Sequence, residues 1–171
     1  MSEHQARIRW ARQPSEKFVD ARYSRAHEWQ FDGGVIVPAS SAVSSVPLPY
    51  SKAENVDPEE AFVAAIASCH MLTFLYLAAK ERFVVDSYDD LARGTLARND
   101  QGRTAVTAVR LEPRIVFCGA KSPTETDIER LHHAAHEQCY IASSVLTTIS
   151  VGGEWSCSGG TGEDRAPRPA E

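Results

Sequence analysis

Polar and apolar residues alternate with a period of two over residues 6–11, where Ala6, Ile8 and Trp10 oppose Arg7, Arg9 and Ala11, the pattern of a half-buried strand. A second strand is predicted from about Arg22 to Phe31, with Tyr23, Arg25, His27, Trp29 and Phe31 on one face. That aromatic face is the inward one, so Arg25 points toward the core; the competing arrangement is an exposed edge strand along which Arg25 snorkels. Asp32-Gly33-Gly34 is hairpin chemistry leading into Val35-Ile36-Val37, and residues 38–56, rich in Ser, Pro and Ala, read as a long functional or covering loop.

The pattern then changes. Asp57-Pro58-Glu59-Glu60 supplies an N-cap, a proline at the first helical position, a capping box through Glu60 and two carboxylates at the positive end of the helix dipole. From Ala61 to Ala79 nearly every residue is apolar or small on all sides, which predicts a helix surrounded by protein at the hub of the core, with Cys69 in its middle. Ser68, Cys69, His70 and Thr73 at its centre, and the polar alternation elsewhere, argue against a membrane span.

Phe83–Arg98 and Arg103–Phe117 read as two strands joined by the turn Asn99-Asp100-Gln101-Gly102. Val109, Leu111, Ile115 and Phe117 share parity and are expected to face the core, with Pro113 marking an edge or bulge. Ser122-Pro123-Thr124-Glu125 predicts a second capping box, opening a helix with Ile128, Leu131, Ala135 and Cys139 on its buried stripe. Leu146–Val151 is the last predicted strand. This order indicates an α+β fold with two antiparallel β groups around a long buried central helix plus a second helix. Two such groups cannot wrap the central helix fully, so a second copy of the chain is expected to complete its enclosure. A single domain is expected over residues 1–155, followed by a disordered tail at 156–171.

Composition narrows the function classes. The 43% hydrophobic and 24% charged fractions suit a folded water-soluble protein, and a net charge of −5 leaves no basic footprint for nucleic acid. The first residues lack an apolar run, which points to a reducing cytoplasm, and Cys69, Cys118, Cys139 and Cys157 show neither a C-x-x-C pair nor finger-like spacing. Cys69 and Cys139 each fall on the buried side of one helix and could meet; equally, both could be small core residues. A cation within ~4–6 Å can lower a thiol pKa by ~1–3 units, whereas apolar burial raises it, so an Arg25 beside Cys69 would make that thiol reactive. Glu59 and Glu60 are the candidate anionic partners of Arg25. A rival constellation is His132, His136 and Cys139, whose i, i+4 and i+7 spacing can present imidazoles and a thiolate to zinc, although three ligands on one straight helix seldom converge. His70, diverging by ~100° from Cys69, reads as a satisfied core or interface histidine.

The run Asp57-Pro58-Glu59-Glu60-Ala61-Phe62 leading into Ala67-Ser68-Cys69, with a second cysteine in His136-Glu137-Gln138-Cys139, resembles the OsmC/Ohr family of osmotically inducible and organic hydroperoxide resistance proteins over about residues 23–151. The resemblance implies an intertwined homodimer and a thiol peroxidase for organic hydroperoxides that needs no cofactor (no haem, flavin or metal) and is reset by an external dithiol. It makes Cys69 the peroxidatic cysteine, Cys139 the resolving one, Arg25 the activating arginine with Arg22 as its alternative, and Glu59 the carboxylate that holds the arginine. Two departures stand out: Tyr140 follows Cys139 where the family commonly has proline, and His70 follows Cys69 where a bulky aromatic is common in the hydroperoxide-resistance branch. The competing function is a non-catalytic dimer binding a small apolar ligand or a metal in the same pocket; a pure interaction scaffold would explain neither the arginine nor the paired thiols.

Overall fold

The structure is a computed structural model that describes residues 2–158, and these gather into two compact units whose boundary falls inside a helix, after Phe62. In the first unit, β1 (Ala6–Arg9), β2 (His27–Phe31) and β3 (Ile36–Ala39) form an antiparallel sheet in the order β1-β2-β3. The hairpin at residues 32–34 forms as expected, with Gly34 at φ 85°, a left-handed conformation that suits glycine. β1 is shorter than expected and exposed throughout, with Ile8 58% accessible. β2 begins five residues later than the parity of residues 22–31 suggested, because residues 22–26 bond outside the sheet instead: the Arg25 N–H donates to the Tyr50 carbonyl at 2.7 Å and the Ala26 N–H to Ser24 Oγ at 3.2 Å. Pro38, expected in the loop, lies in β3, an edge strand where its missing N–H is tolerated.

Helix α1 (Pro58–Lys80) opens with the expected box: the Asp57 N–H donates to Glu60 Oε2 at 3.1 Å and the Glu60 N–H to Asp57 Oδ1 at 2.8 Å. The expectation that α1 is buried on every side is corrected. Only Ile66, His70, Phe74 and Ala78, one stripe at four-residue spacing, are buried, while Leu72 and Tyr76 are 61% and 58% exposed. A single chain lacks enough sheet surface to cover a helix that is apolar all round. By length and composition alone α1 also meets the requirement for a membrane span.

The two strand runs predicted after α1 are four strands: β4 (Val84–Asp90), β5 (Arg93–Arg98), β6 (Thr104–Leu111) and β7 (Pro113–Cys118). Each run breaks once, at 91–92 and at Glu112, so that β4 pairs with β7 and β5 with β6 in separate antiparallel ladders. Parity nevertheless runs unbroken through the bend, and Val109, Leu111, Ile115 and Phe117 are all buried. Helix α2 (Glu125–Gln138) starts two residues later than expected. Thr124 rather than Ser122 is its N-cap, and Asp127 closes the box; its carboxylate is held down to about pKa 2, first by the Thr124 N–H and then by the Thr124 hydroxyl and Arg130. Two short strands follow, β8 (Thr148–Val151) and β9 (Glu154–Cys157).

β8 adds parallel to β6 and β9 parallel to β7, so the second unit holds two mixed sheets, ordered β5-β6-β8 and β4-β7-β9, rather than one antiparallel group. The expected tail is corrected at its start, since Ser156 and Cys157 belong to β9; residues 159–171 lie outside the described residues. Gly153 makes the β8–β9 connection possible: its φ is 98°, and a Cβ there would collide with the Pro113 backbone. The core of this unit is Phe74 and Ala78 of α1, Phe83, Ile115 and Phe117 from the sheet side, and Ile128, Leu131 and Ala135 of α2.

Candidate functional site

Cys69 sits mid-way along α1, half-buried, one residue before the buried stripe position His70. Its carbonyl accepts a second bond from Thr73 Oγ1 at 2.9 Å, which holds the local turn. Cys139 is the C-cap of α2, with φ −74° and ψ 116°, and is 1% exposed. The chain rewinds after it into a short 3-10 turn, Ala142–Ser144: the Ser143 N–H and hydroxyl both donate to the Cys139 carbonyl at 3.1 Å, and the Ala142 N–H donates to Cys139 Sγ at 3.3 Å. The two sulfurs, 70 residues apart in sequence, are joined in a disulfide with a Cα–Cα distance of 5.8 Å. The two helices thus carry a two-electron redox couple between them. A shallow cleft of about 620 Å³ lies alongside, lined by Leu72, Thr73 and Tyr76 of α1, by Glu137 and Gln138 of α2, and by Tyr140 and Ser143.

The histidines are arranged differently from a metal site. His70 Nε2 and His132 Nδ1 are 3.0 Å apart, their near-parallel rings have centroids 5.3 Å apart, and His132 also stacks on Phe74 at 4.5 Å. One ring donates and the other accepts, and burial disfavours charge on either. Both pKa values are lowered to about 4, that of His132 by burial and that of His70 by burial first and then by His132 and His136. Among the described residues no three His, Cys, Asp or Glu side chains group as a metal site. His70 is the satisfied core histidine that its position suggested; that its partner would be His132 had no signal in local spacing, because the two lie on different helices.

Arg25 and Glu59 belong to the first unit, and among the described residues no ion pair joins them. The Arg25 guanidinium lies 3.7 Å above the Tyr23 ring and donates to the carbonyls of Ala21 (2.9 Å) and Tyr23. Tyr23 itself packs in an aromatic cluster with Phe18 at 4.7 Å and Trp10 at 5.4 Å, and the Trp10 indole N–H donates to the Ser24 carbonyl at 2.8 Å. Glu59 is half-buried in the first turn of α1, whereas Arg22 is exposed. The expected partner of the arginine was a carboxylate; aromatic stacking and backbone carbonyls take that place, a solution that strand parity could not reveal because residues 22–26 are not strand.

A family model described as OsmC-like protein matches residues 51–152, which include both cysteines of the disulfide and both helices. The chain belongs to the OsmC-like family. A solved OsmC-like protein of unknown function from Vibrio cholerae is 53% identical, with a TM-score of 0.86 over 91% of this chain and 100% of that one. An organic hydroperoxide resistance protein from Elizabethkingia anophelis is 13% identical with a TM-score of 0.60, covering 92% of this chain and 98% of its own. The organic hydroperoxide resistance protein OhrB of Bacillus subtilis is 17% identical with a TM-score of 0.55, covering 91% and 98%. These last two likenesses are of fold. The comparison with curated proteins gives no match.

Proposed function

We propose that this OsmC-like protein is a thiol peroxidase that reduces organic hydroperoxides, and the observation that carries the reading is the Cys69–Cys139 disulfide. The Cys69 thiolate attacks the distal peroxide oxygen; the O–O bond breaks, an alcohol leaves with a proton, and Cys69 becomes a sulfenic acid. Cys139 then attacks the Cys69 sulfur, water leaves and the disulfide forms; an external dithiol returns two electrons and resets both thiols. No haem, flavin or metal takes part. In this reading Arg25 lowers the Cys69 pKa and stabilises charge on the departing oxygen, roles carried by the family resemblance.

The protein works as a water-soluble homodimer in a reducing, cytoplasmic compartment. Leu72 and Tyr76, large apolar side chains more than half exposed on a helix that is apolar all round, support a second copy as the cover of that face. Leu72→Asp with Tyr76→Asp is expected to shift the sedimentation coefficient from dimer to monomer; an unchanged value would remove the dimer from the reading.

The activity is tested by adding one equivalent of an alkyl hydroperoxide to the fully reduced protein. Two of the four cysteine thiols are expected to disappear and peptide mapping to link Cys69 with Cys139. Persistence of all thiols, or a principal link through Cys118 or Cys157, would overturn the proposal.

A further inference from the structure

The two sulfurs of the disulfide differ in access and in hydrogen bonding, and the difference dictates which of them a reductant attacks. Cys139 is 1% exposed, enclosed at the end of α2, which closes its sulfur to an attacking thiolate, while Cys69 is half-buried on the α1 side that the proposed second copy approaches. The Ala142 N–H already donates to Cys139 Sγ at 3.3 Å, and the Ser143 N–H and hydroxyl on the Cys139 carbonyl brace the turn that presents it. No hydrogen bond of comparable kind reaches Cys69 Sγ among the described residues. Thiol–disulfide exchange depends on access to the attacked sulfur and speeds up as the leaving thiol becomes a better anion. The enclosure of Cys139 and the hydrogen bond on its sulfur both favour cleavage that leaves the electron pair on Cys139.

We infer that reduction is regiospecific: the reductant's thiolate attacks Cys69 Sγ, and Cys139 departs as a thiolate received by the Ala142 N–H. In the first step a bond forms between the reductant sulfur and Cys69 Sγ, the Cys69–Cys139 bond breaks, and its electron pair stays on Cys139. With a dithiol, the second thiolate attacks the reductant sulfur of this mixed disulfide and expels Cys69 as a thiolate, so the reductant leaves as a disulfide and the protein has gained two electrons. The Ala142 N–H bond to sulfur exists before cleavage and becomes charge-assisted after it, which lowers the barrier without any reorganisation of the turn. Ala142 thus acts through its backbone, a part that its side chain gives no hint of. The inference rests on the proposed redox role of the disulfide, not on the nature of the oxidant.

The test starts from protein oxidised with diamide rather than peroxide, with the remaining thiols blocked by N-ethylmaleimide. A brief pulse of the monothiol 2-mercaptoethanol, stopped with iodoacetamide, is expected to leave mercaptoethanol on the Cys69 peptide and the carbamidomethyl group on the Cys139 peptide. The adduct on Cys139, or an even split at the earliest times, would overturn the inference. Because no peroxide is used, failure of peroxidase activity would leave this outcome readable, and the reverse also holds. The part of Ala142 is read separately by the pH midpoint of Cys139 alkylation in Cys69→Ser, which should rise by about one unit on adding Ala142→Pro, slowing reduction of the wild-type disulfide severalfold in the single variant. An unchanged midpoint would strike out the hydrogen bond; a variant that fails to fold leaves the mapping, which needs no substitution at Ala142, to decide.

Discussion

The protein contains two pairs of cysteines that could have met, and only one pair has. Cys69 and Cys139 stand on different helices, 70 residues apart, and are bonded. Cys118 and Cys157 stand on neighbouring parallel strands, β7 and β9, and are free. The strand pair fails for a reason of register: Cys157 lies opposite Phe117, so Cys118, one residue on, projects to the other face of the sheet. The helix pair succeeds because each cysteine sits next to its helix's buried stripe, after Ile66 on α1 and at the end of the Ile128, Leu131, Ala135 series on α2. Being close along a ladder counts for less than being on the right side of it, and the difference separates thiols placed for mutual chemistry from thiols that are not.

The largest expected effect tests the bonded pair directly. Cys69→Ser should lower peroxide consumption by roughly a thousandfold or more, the loss of the nucleophile itself, measured by single-turnover peroxide decay. Cys139→Ser should instead leave the first turnover intact and drive Cys69 to sulfinic acid, visible as a mass gain on its peptide. Equal loss in both variants would erase the distinction of roles within the pair.

A second measurement probes the helix packing that brings the pair together. His70 and His132 have pKa values lowered to about 4 in the folded state, against 6.5 for an ordinary histidine. The unfolded chain therefore binds more protons between these values, so stability is fully present above about pH 6.5 and is lost as the pH falls toward 4, by up to about 3 kcal/mol for each histidine. Thermal melts at pH 7 and pH 4.5 should differ by several degrees, and His132→Phe should flatten that dependence. Asp127, with its pKa lowered to about 2, acts in a separate window: its contribution is present above about pH 4 and lost only below that. An equally steep acid dependence in His132→Phe would show that the imidazole pair is not what couples the helices to pH.

Smaller effects follow for the arginine and for the free thiols. Arg25→Ala should raise the kinetic pKa of Cys69 and reduce peroxide reactivity near neutral pH about tenfold per pK unit lost, with partial recovery at high pH. An unchanged pH–rate profile would turn attention to Arg22 or His70. Tyr23→Leu, which removes the ring under the guanidinium, should reproduce part of the Arg25→Ala effect if the stacked position is the working one. Cys157→Ser, at an exposed strand position, should change neither turnover nor melting temperature beyond error. A substantial loss there would break the contrast between the two cysteine pairs.

Much of this is legible in the sequence. The capping box at Asp57–Glu60, the parity of Val109, Leu111, Ile115 and Phe117, and the stripe ending at Cys139 are all local patterns, and local periodicity together with capping chemistry is enough to set them. The second helix shows the limit even of a local signal: Thr124 and Asp127 outcompete Ser122 and Glu125 because their reciprocal hydrogen bonds are the ones the turn can close. Only the tertiary structure decided that Phe83–Arg98 and Arg103–Phe117 break into four strands, since the strands on the two sides of Glu112 pair with different partners, β6 with β5 and β7 with β4. It likewise decided that β8 and β9 add in parallel, that His70 finds His132, and that Arg25 rests on Tyr23 rather than on a carboxylate. A chain encodes which side of each element is apolar through the period of its own residues, but which element meets that side depends on packing and loop closure summed over the whole fold, and no window of sequence contains that sum.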